Sequence, residues 1–129
     1  MSNPAGTLKP TNLLLLERDP GLRKSVKLTL EQDGLDVWDV QDEVDAQEIL
    51  ERKSPDLLVL DHENLAEHLG ELIALYRENR EEEEGIVLVT TARRIDDSWR
   101  LRYEPDLVVY KPFDVRFLCR RIKSLIEPI

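Results

Sequence analysis

Short apolar segments recur along the chain and alternate with stretches of helical period. The apolar segments are Leu13–Leu16, Leu35–Val40, Leu57–Leu60, Ile86–Thr91 and Leu107–Tyr110. Because strands that alternate with amphipathic helices form βαβ units, this pattern predicts an α/β fold with a doubly wound, mostly parallel sheet. We expect five strands in the order 2-1-3-4-5 and five helices, with helices one and five on one face and helices two, three and four on the other.

The first helix has a defined start and end in the sequence. Asp19 is a typical N-cap, Pro20 fits the first helical position, and Gly34 favours a helix end. We therefore predict a helix between these residues that packs one face against the sheet. The apolar positions of that face are Leu22, Val26 and Leu30.

The remaining helices are predicted from their caps and apolar positions. Helix two follows Asp42 and ends before Pro55. Helix four is a short segment from Asp96 to about Tyr103, which we expect to be frayed or mobile, and helix five starts at Asp114. The positions expected to be buried are Val44, Ala46, Ile49 and Leu50 in helix two, Leu65, Leu69, Leu72, Ile73 and Tyr76 in helix three, and Phe117, Leu118, Ile122, Leu125 and Ile126 in helix five.

Charge is unevenly distributed along this acidic chain, whose net charge is -9. Residues 1–85 carry 9 Lys/Arg against 21 Asp/Glu, whereas residues 86–129 carry 9 against 6. The negative excess argues against direct nucleic-acid binding, which needs a basic surface. Asp36 and Asp39 alternate with apolar residues and mark strand two as a protected edge strand. The asymmetry has two interpretations, a solvated surface with Glu81–Glu84 in a loop or a partner-docking face on the C-terminal third.

Length and cysteine content indicate one intracellular domain. At 129 residues the chain can bury a core without disulfides, and its single cysteine, Cys119, excludes an intrachain disulfide and is expected to be buried. The longest uninterrupted apolar run, Leu13–Leu16, is too short to span a membrane, and residues 1–11 lack the apolar core of a signal peptide. We expect a cytoplasmic domain over residues 12–129, without membrane association, after a disordered leader at residues 1–11.

Polar residues follow four of the predicted strands at their carboxyl ends. Glu17 and Arg18 follow the first strand, Asp61 the third, Thr91 the fourth and Lys111 the fifth. In an open parallel α/β sheet ligands bind outside the carboxyl ends of the strands, so we expect these side chains to converge. A carboxylate, a hydroxyl and an ammonium at one edge of a sheet favour a site for phosphoryl chemistry, or the remnant of such a site.

Four motifs in this order resemble the receiver domain of two-component response regulators. They are Asp19-Pro20-Gly21-Leu22-Arg23, Pro55-Asp56-Leu57-Leu58-Val59-Leu60-Asp61, Val89-Thr90-Thr91-Ala92 and Lys111-Pro112-Phe113. The resemblance extends from about Asn12 to Ile126. It implies a flavodoxin-like (CheY-like) fold and a role in phosphorelay signal transduction.

The resemblance assigns roles to the residues at the strand ends. Asp61 matches the phospho-acceptor, Thr91 the hydroxyl that follows the phosphoryl group, and Lys111 the lysine that balances its charge. The Lys111-Pro112 peptide is expected to be cis, as in the family. An aspartate carboxylate can form an acyl phosphate when cations offset the charge on both reactants. Catalysis is then limited to self-phosphorylation and autodephosphorylation at Asp61, so we do not expect an enzyme in the usual sense.

The resemblance also implies protein partners. A histidine kinase or phosphotransfer protein would supply the phosphoryl group, and a downstream protein or a second copy would dock on helix four, strand five and helix five. Arginine and tyrosine are enriched at interfaces, and this face gathers both in an acidic protein. Its residues are Arg93, Arg94, Arg100, Arg102, Tyr103, Tyr110, Arg116 and Arg120.

The metal site of the family is altered in this sequence. Two adjacent acids follow the first strand in the family, and Glu17 and Arg18 stand there in this chain. An arginine cannot ligate magnesium. The remaining candidate ligands are Glu17, Asp61 and Glu63, while Asp19 could shift inward, so we expect weakened Mg²⁺ binding. We expect Arg18 to reach toward Asp61 and supply positive charge there, the alternative being that it points to solvent.

Two further features depart from the family. The segment from His62 to His68 lacks the usual proline and glycine, and we expect both histidines to be exposed loop residues. The family has an aromatic switch residue on strand five, and the matching position in this chain is Val108, which is not aromatic. The neighbouring Tyr110 should face elsewhere, because side chains alternate along a strand. The usual coupling from Thr91 to an aromatic residue is therefore expected to be weak.

Three functions compete on this sequence. The first is a phosphorylatable receiver, supported by Asp61, Thr91 and Lys111. The second is a phosphorylation-independent pseudo-receiver that acts as an interaction module, supported by Arg18 and Val108. A flavodoxin-type enzyme is a distant third, because the residues that follow strand one, 17–20, include two acids and lack the small residues of a phosphate-binding loop.

Overall fold

The computed structural model describes residues 11–63, 66–80 and 85–127. The expected leader, apart from Thr11, lies outside the described residues, and so do Leu65 and the run Glu81–Glu84. Strands and helices alternate throughout the described chain. They are β1 (Asn12–Leu16), α1 (Pro20–Gln32), β2 (Asp36–Val40), α2 (Glu43–Leu50), β3 (Leu57–His62), α3 (Ala66–Asn79), β4 (Ile86–Thr91), α4 (Asp97–Tyr103), β5 (Leu107–Tyr110) and α5 (Val115–Ile126).

The strands form one parallel sheet in the order β2-β1-β3-β4-β5. The predicted topology is therefore confirmed. In the register of the sheet Asp61 is paired with Thr90, and Thr91 is paired with both His62 and Tyr110. This alignment brings the polar carboxyl ends of the central strands to the same edge.

Two apolar cores cover the two faces of the sheet, as the alternating pattern predicts. Helices α2, α3 and α4 pack on one face around Leu50, Ile73 and Trp99. Helices α1 and α5 pack on the other around Leu30 and Ile122. Burying such large aliphatic side chains supplies the main stabilisation of the fold, roughly 1.5–3 kcal/mol for each fully buried side chain.

Aspartates cap the helices whose N-termini were predicted. The side chain of Asp19 accepts hydrogen bonds from the backbone N–H groups of Gly21 and Leu22 at 2.9 and 3.3 Å. Equivalent caps are formed by Asp42, Asp96 and Asp114. At the other end of α1, Gly34 adopts φ +92°, a left-handed conformation that glycine tolerates best.

Two side chains depart from the predicted helix faces. Val44 and Phe117 were expected to be buried but are 74% and 43% exposed. Cys119 takes the inward position on α5, which confirms that the cysteine is buried. The predicted burial of Val44 and Phe117 was wrong for a physical reason. When the apolar stripe of a helix is wider than the surface it packs against, the residues at the margins of the stripe stay in solvent.

The short helix α4 is anchored to α3. Its Trp99 is buried, and the ring of Tyr103 lies against Gly70, where an added Cβ would stand 2.3 Å from the ring. The guanidinium of Arg77 donates to the carbonyl oxygens of Tyr103 and Glu104 at the end of α4. These contacts satisfy backbone acceptors that a helix of seven residues leaves open.

The edge strand β2 carries its acids as expected. Asp36 is exposed, and Asp39 forms ion pairs with Arg23 at 3.4 Å and Lys27 at 2.9 Å. Within the described part of the chain no helix has the length and apolar character needed to cross a membrane.

Candidate functional site

Asp61 lies at the carboxyl edge of the sheet, on the central strand β3, and is 1% exposed. Its Oδ1 atom accepts a hydrogen bond from the ammonium of Lys111 at 3.1 Å. Lys111 directly follows β5, and its peptide bond to Pro112 is cis, as expected. The sheet thus brings together two oppositely charged groups that are 50 residues apart in sequence.

The Lys111 ammonium also contacts the other predicted acids. It lies 3.2 Å from Oε1 of Glu17 and 3.5 Å from Oε1 of Glu63. Glu17 is itself buried, at 3% exposure, and its Oε2 atom accepts a hydrogen bond from the backbone N–H of Asp19 at 3.0 Å. Three carboxylates therefore share one ammonium, which holds them together at the mouth of the site.

Arg18 reaches toward Asp61, as predicted, and does not point into bulk solvent. Its Nη1 atom donates to the main-chain oxygen of Asp61 at 3.0 Å and lies 3.6 Å from the carboxylate Oδ2. Its Nη2 atom forms an ion pair with Glu43 on α2. The guanidinium thus bridges Asp61 and Glu43 across the end of the sheet.

Thr91 reaches the same edge, but its hydroxyl is engaged elsewhere. It donates to the carbonyl oxygen of Arg93 at 2.9 Å and accepts from the N–H of Arg93 at 3.0 Å. It also lies 3.3 Å from Nδ1 of His62. In this conformation the hydroxyl would have to turn away from Arg93 to bond a group on Asp61.

His62 is not the exposed loop residue that the sequence predicted. It belongs to β3, is 8% exposed, and makes an edge-to-face contact with Trp99 at 5.2 Å between ring centroids. His68, by contrast, is exposed on α3. Strand β3 therefore extends one residue beyond Asp61, which the sequence pattern did not indicate. The contact with Trp99 offsets the cost of burying the polar ring of His62.

Burial and charge shift the pKa values of the central pair. Burial and the nearby negative charge of Glu17 raise the pKa of Asp61 above its ordinary range, against the lowering effect of Lys111. Burial lowers the pKa of Lys111, but its hydrogen bond to Asp61 and the charges of Asp61 and Glu17 outweigh that effect, so the pKa is raised. Burial lowers the pKa of His62, which favours its neutral form.

Solved structures with the same architecture match the chain over most of its length. A response regulator from Thermotoga maritima is 26% identical, with 92% of this chain and 98% of that chain covered and a TM-score of 0.67. A receiver domain protein (CheY-like) from Methanospirillum hungatei JF-1 is 19% identical, with 91% and 94% covered and a TM-score of 0.78. This chain is a response-regulator receiver domain in fold.

A third solved structure of the same fold is the response regulator TrrA from Thermotoga maritima in complex with Mg²⁺-BeF. It is 20% identical, with 90% of this chain and 99% of that chain covered and a TM-score of 0.72. No protein-family model matches the sequence of this receiver domain, and no curated protein matches it either. The likeness is therefore carried by three-dimensional structure and by the residues at the strand ends.

The residues of this receiver domain do not fit the divalent metal that the fold implies. The candidate ligands were Glu17, Asp61 and Glu63, and all three carboxylates contact the Lys111 ammonium. The guanidinium of Arg18 lies beside Asp61, so a second cation already occupies that side. In the described part of the chain no group of three or more His, Cys, Asp or Glu residues is arranged to hold a metal ion.

Sequence reasoning missed two residues that belong to the receiver site. Glu43 lies 18 positions before Asp61, and its sequence context indicates only the first turn of a helix. His62 was assigned to a loop. The ion pair of Glu43 could have been anticipated from Arg18, since a partly buried arginine in place of a metal ligand favours additional negative charge nearby.

Proposed function

We propose that this receiver domain acts in phosphorelay signal transduction and that Asp61 accepts a phosphoryl group from a histidine kinase or a phosphotransfer protein. The observation that carries the proposal is the 3.1 Å hydrogen bond between the Lys111 ammonium and Oδ1 of Asp61. Asp61 is otherwise a nearly inaccessible carboxylate on a central strand, where an acid without a function would be costly. The same site in a receiver fold supports phosphoryl transfer above other chemistry.

The proposed reaction is a displacement at phosphorus. A carboxylate oxygen of Asp61 attacks the phosphorus of a phosphohistidine on the donor protein, the P–N bond breaks, and the released histidine nitrogen takes a proton from solvent. Lys111 and Arg18 offset the negative charge that the carboxylate and the phosphoryl group bring together. Hydrolysis of the acyl phosphate by water would return Asp61 to its carboxylate, so the domain turns over no separate substrate.

Labelling with acetyl phosphate tests this proposal without knowledge of the kinase. We expect the intact mass of the protein to increase by one phosphoryl group and the increase to vanish in Asp61→Asn. We also expect Lys111→Met to be labelled at least about tenfold more slowly, because the cation beside the carboxylate is lost. Asp56→Asn is the matched control, since Asp56 precedes the same strand and lies away from the site. Labelling that persists in Asp61→Asn would refute the assignment of the acceptor.

A second candidate function, a phosphorylation-independent interaction module, is favoured by one observation. Asp61 is 1% exposed beneath Arg18, which restricts the approach of a phosphoryl donor. If this function is correct, neither acetyl phosphate nor beryllofluoride will modify the protein, and Asp61→Asn will bind protein partners as the parent does. Labelling of the parent with loss of partner response in Asp61→Asn would support the first function instead.

The proposed docking surface for a downstream protein or a second copy is the basic face formed by α4, β5 and α5. Arg93, Arg94, Arg100 and Arg102 are exposed near α4, and Arg116 and Arg120 are exposed on α5. Tyr110, 49% exposed on β5, is 3.3 Å from Arg100 through its hydroxyl. A basic surface with an exposed tyrosine on a protein of net charge -9 favours an acidic partner surface.

A further inference from the structure

The ion pair between Arg18 and Glu43 joins the proposed phosphoryl site to helix α2. Glu43 is the first residue of α2, directly after the N-cap Asp42. Arg18 contacts Glu43 through Nη2 and Asp61 through Nη1, so a single guanidinium is shared by two carboxylates. Any new negative charge on Asp61 changes the balance between these two partners.

Glu43 depends on Arg18 for its charge compensation. Its side chain is 15% exposed, its Oε1 atom is buried, and in the described part of the chain Arg18 is the partner seen for that atom. A buried carboxylate without a counter-ion is strongly unfavourable, so Glu43 cannot keep its position if Arg18 leaves it. A movement of Arg18 away from Glu43 therefore requires Glu43 to leave its position as well.

The same pair covers Asp61. Arg18 lies across Asp61 from the loop after β1, and Glu43 holds it from the side of α2. Because opposite charges at contact distance attract strongly away from bulk water, Glu43 also neutralises the positive charge that an incoming anion would seek. Glu43 thus opposes anion binding through Arg18, both by holding this cover in place and by neutralising its positive charge.

We propose that Glu43 is an inhibitory counter-ion of the site and that a phosphoryl group on Asp61 takes Arg18 from it. In the resting state Arg18 is paired with Glu43 and covers Asp61. In the modified state Arg18 is paired with the phosphoryl oxygens. It then supplies the positive charge of a metal ion, which the candidate ligands of this site do not fit. This inference rests on the proposed phosphorylation of Asp61 and adds its regulation by α2.

The exchange has a defined structural consequence on α2. A released Glu43 turns to solvent at the N-terminus of a helix, where its charge interacts favourably with the helix dipole. That end of α2 borders a cavity of about 440 Å³ against α3, which is lined by Val44, Gln47 and Leu72 among others. Modification of Asp61 should therefore change hydrogen exchange in the first turn of α2.

Rates of acetyl phosphate labelling and beryllofluoride affinity of full-length variants test the proposal. Glu43→Gln keeps the size of the side chain and removes its charge, and we expect it to be labelled about tenfold faster and to bind beryllofluoride about tenfold more tightly. Arg18→Gln should be labelled more slowly than the parent. In the double variant Glu43→Gln should have no further effect, because Glu43 acts only through Arg18.

Glu48→Gln is the matched control. Glu48 lies on the same helix and forms an exposed ion pair with Arg52, so its neutralisation removes one charge at a similar position without touching the site. We expect its labelling rate to equal that of the parent. Glu43→Asp should retain slow labelling because it keeps the charge, and Glu43→Ala repeats the test if Glu43→Gln fails to fold.

The outcomes separate this inference from the proposed function. If the parent is labelled at Asp61 and Glu43→Gln is labelled at the same rate or more slowly, the inhibitory role is wrong and phosphorylation stands. A faster rate that persists in the Arg18→Gln background would also overturn it. If none of the proteins is labelled or binds beryllofluoride, phosphorylation itself is refuted and the regulation falls with it.

Discussion

At the scale of single residues, the site is defined by how a few buried charges are shared. Asp61 interacts with Lys111 on one side and Arg18 on the other, while Glu17 competes for Lys111 and Glu43 for Arg18. Neighbouring charges of the same sign raise the pKa of a buried carboxyl, and cations lower it. The reactivity of Asp61 therefore depends on residues that need not touch a phosphoryl group.

The pH dependence of labelling should reveal the influence of Glu17. Its charge is one cause of the raised pKa of Asp61, and a protonated carboxyl is not a nucleophile, so labelling should fall as the pH falls through that raised pKa. In Glu17→Gln the pKa of Asp61 drops and labelling should persist to lower pH. The measurement is the labelling rate against pH, with Glu48→Gln as the control for net charge. An acid limb that stays in place or moves to higher pH in Glu17→Gln would contradict this account.

Magnesium affinity should depend on the single substitution at position 18. A fixed cation beside Asp61 repels a second cation, so we expect the parent to bind Mg²⁺ at least about tenfold more weakly than Arg18→Asp. Isothermal titration of both proteins measures the difference, and Arg52→Asp, at an exposed position just after α2, controls for overall charge. Equal affinities for the parent and Arg18→Asp would show that Arg18 does not replace the metal.

At the scale of elements, the strands and helices were readable because each is marked by local chemistry. The N-caps Asp19, Asp42, Asp96 and Asp114 lie where the sequence predicts them. The anchorage of α4 was not readable, because Arg77 and Gly70 lie on a different helix and contact α4 only after the chain has folded. The local sequence pattern indicates helical periodicity and caps, whereas contacts between helices and strands depend on tertiary packing.

The packing of α4 on α3 should be sensitive to one methyl group. In Gly70→Ala the new Cβ would lie 2.3 Å from the ring of Tyr103, so α4 must shift, and we expect a loss of about 1–3 kcal/mol in the free energy of unfolding. In a Tyr103→Ala background the same substitution should be neutral or stabilising, because alanine has the higher helix propensity. Urea denaturation of the four proteins measures the coupling. An equal cost in both backgrounds would show that the ring contact is not the cause.

At the scale of the whole molecule, the topology and both cores were predicted from the apolar pattern, and the site from the convergence of strand ends. The predicted meeting of Asp61 and Lys111 is seen directly. The position of the Thr91 hydroxyl and the burial of His62 were not predicted, because rotamers and ring contacts depend on neighbours distant in sequence. The roles of these residues in phosphorylation stay predictions.

The basic face should control association of the whole molecule. Charge reversal in Arg116→Glu and Arg120→Glu should weaken self-association or partner binding by about tenfold or more, and high salt should weaken the parent in the same direction. Light scattering at low and high salt measures this, with Arg52→Glu, at an exposed position just after α2, as the control. Because Val108 is not aromatic, we expect beryllofluoride to change association little. Unchanged association in both variants, together with a large response of the parent to beryllofluoride, would show that the switch is intact.

The contact between Trp99 and His62 gives the molecule an optical probe of its own site. Trp99 is buried on α4 and meets the ring of the residue next to Asp61, whereas the other tryptophan, Trp38, lies on the edge strand beneath Lys53. In a Trp38→Phe protein all indole emission comes from Trp99. The emission spectrum would then report rearrangement around Asp61 in real time, without a label attached to the protein.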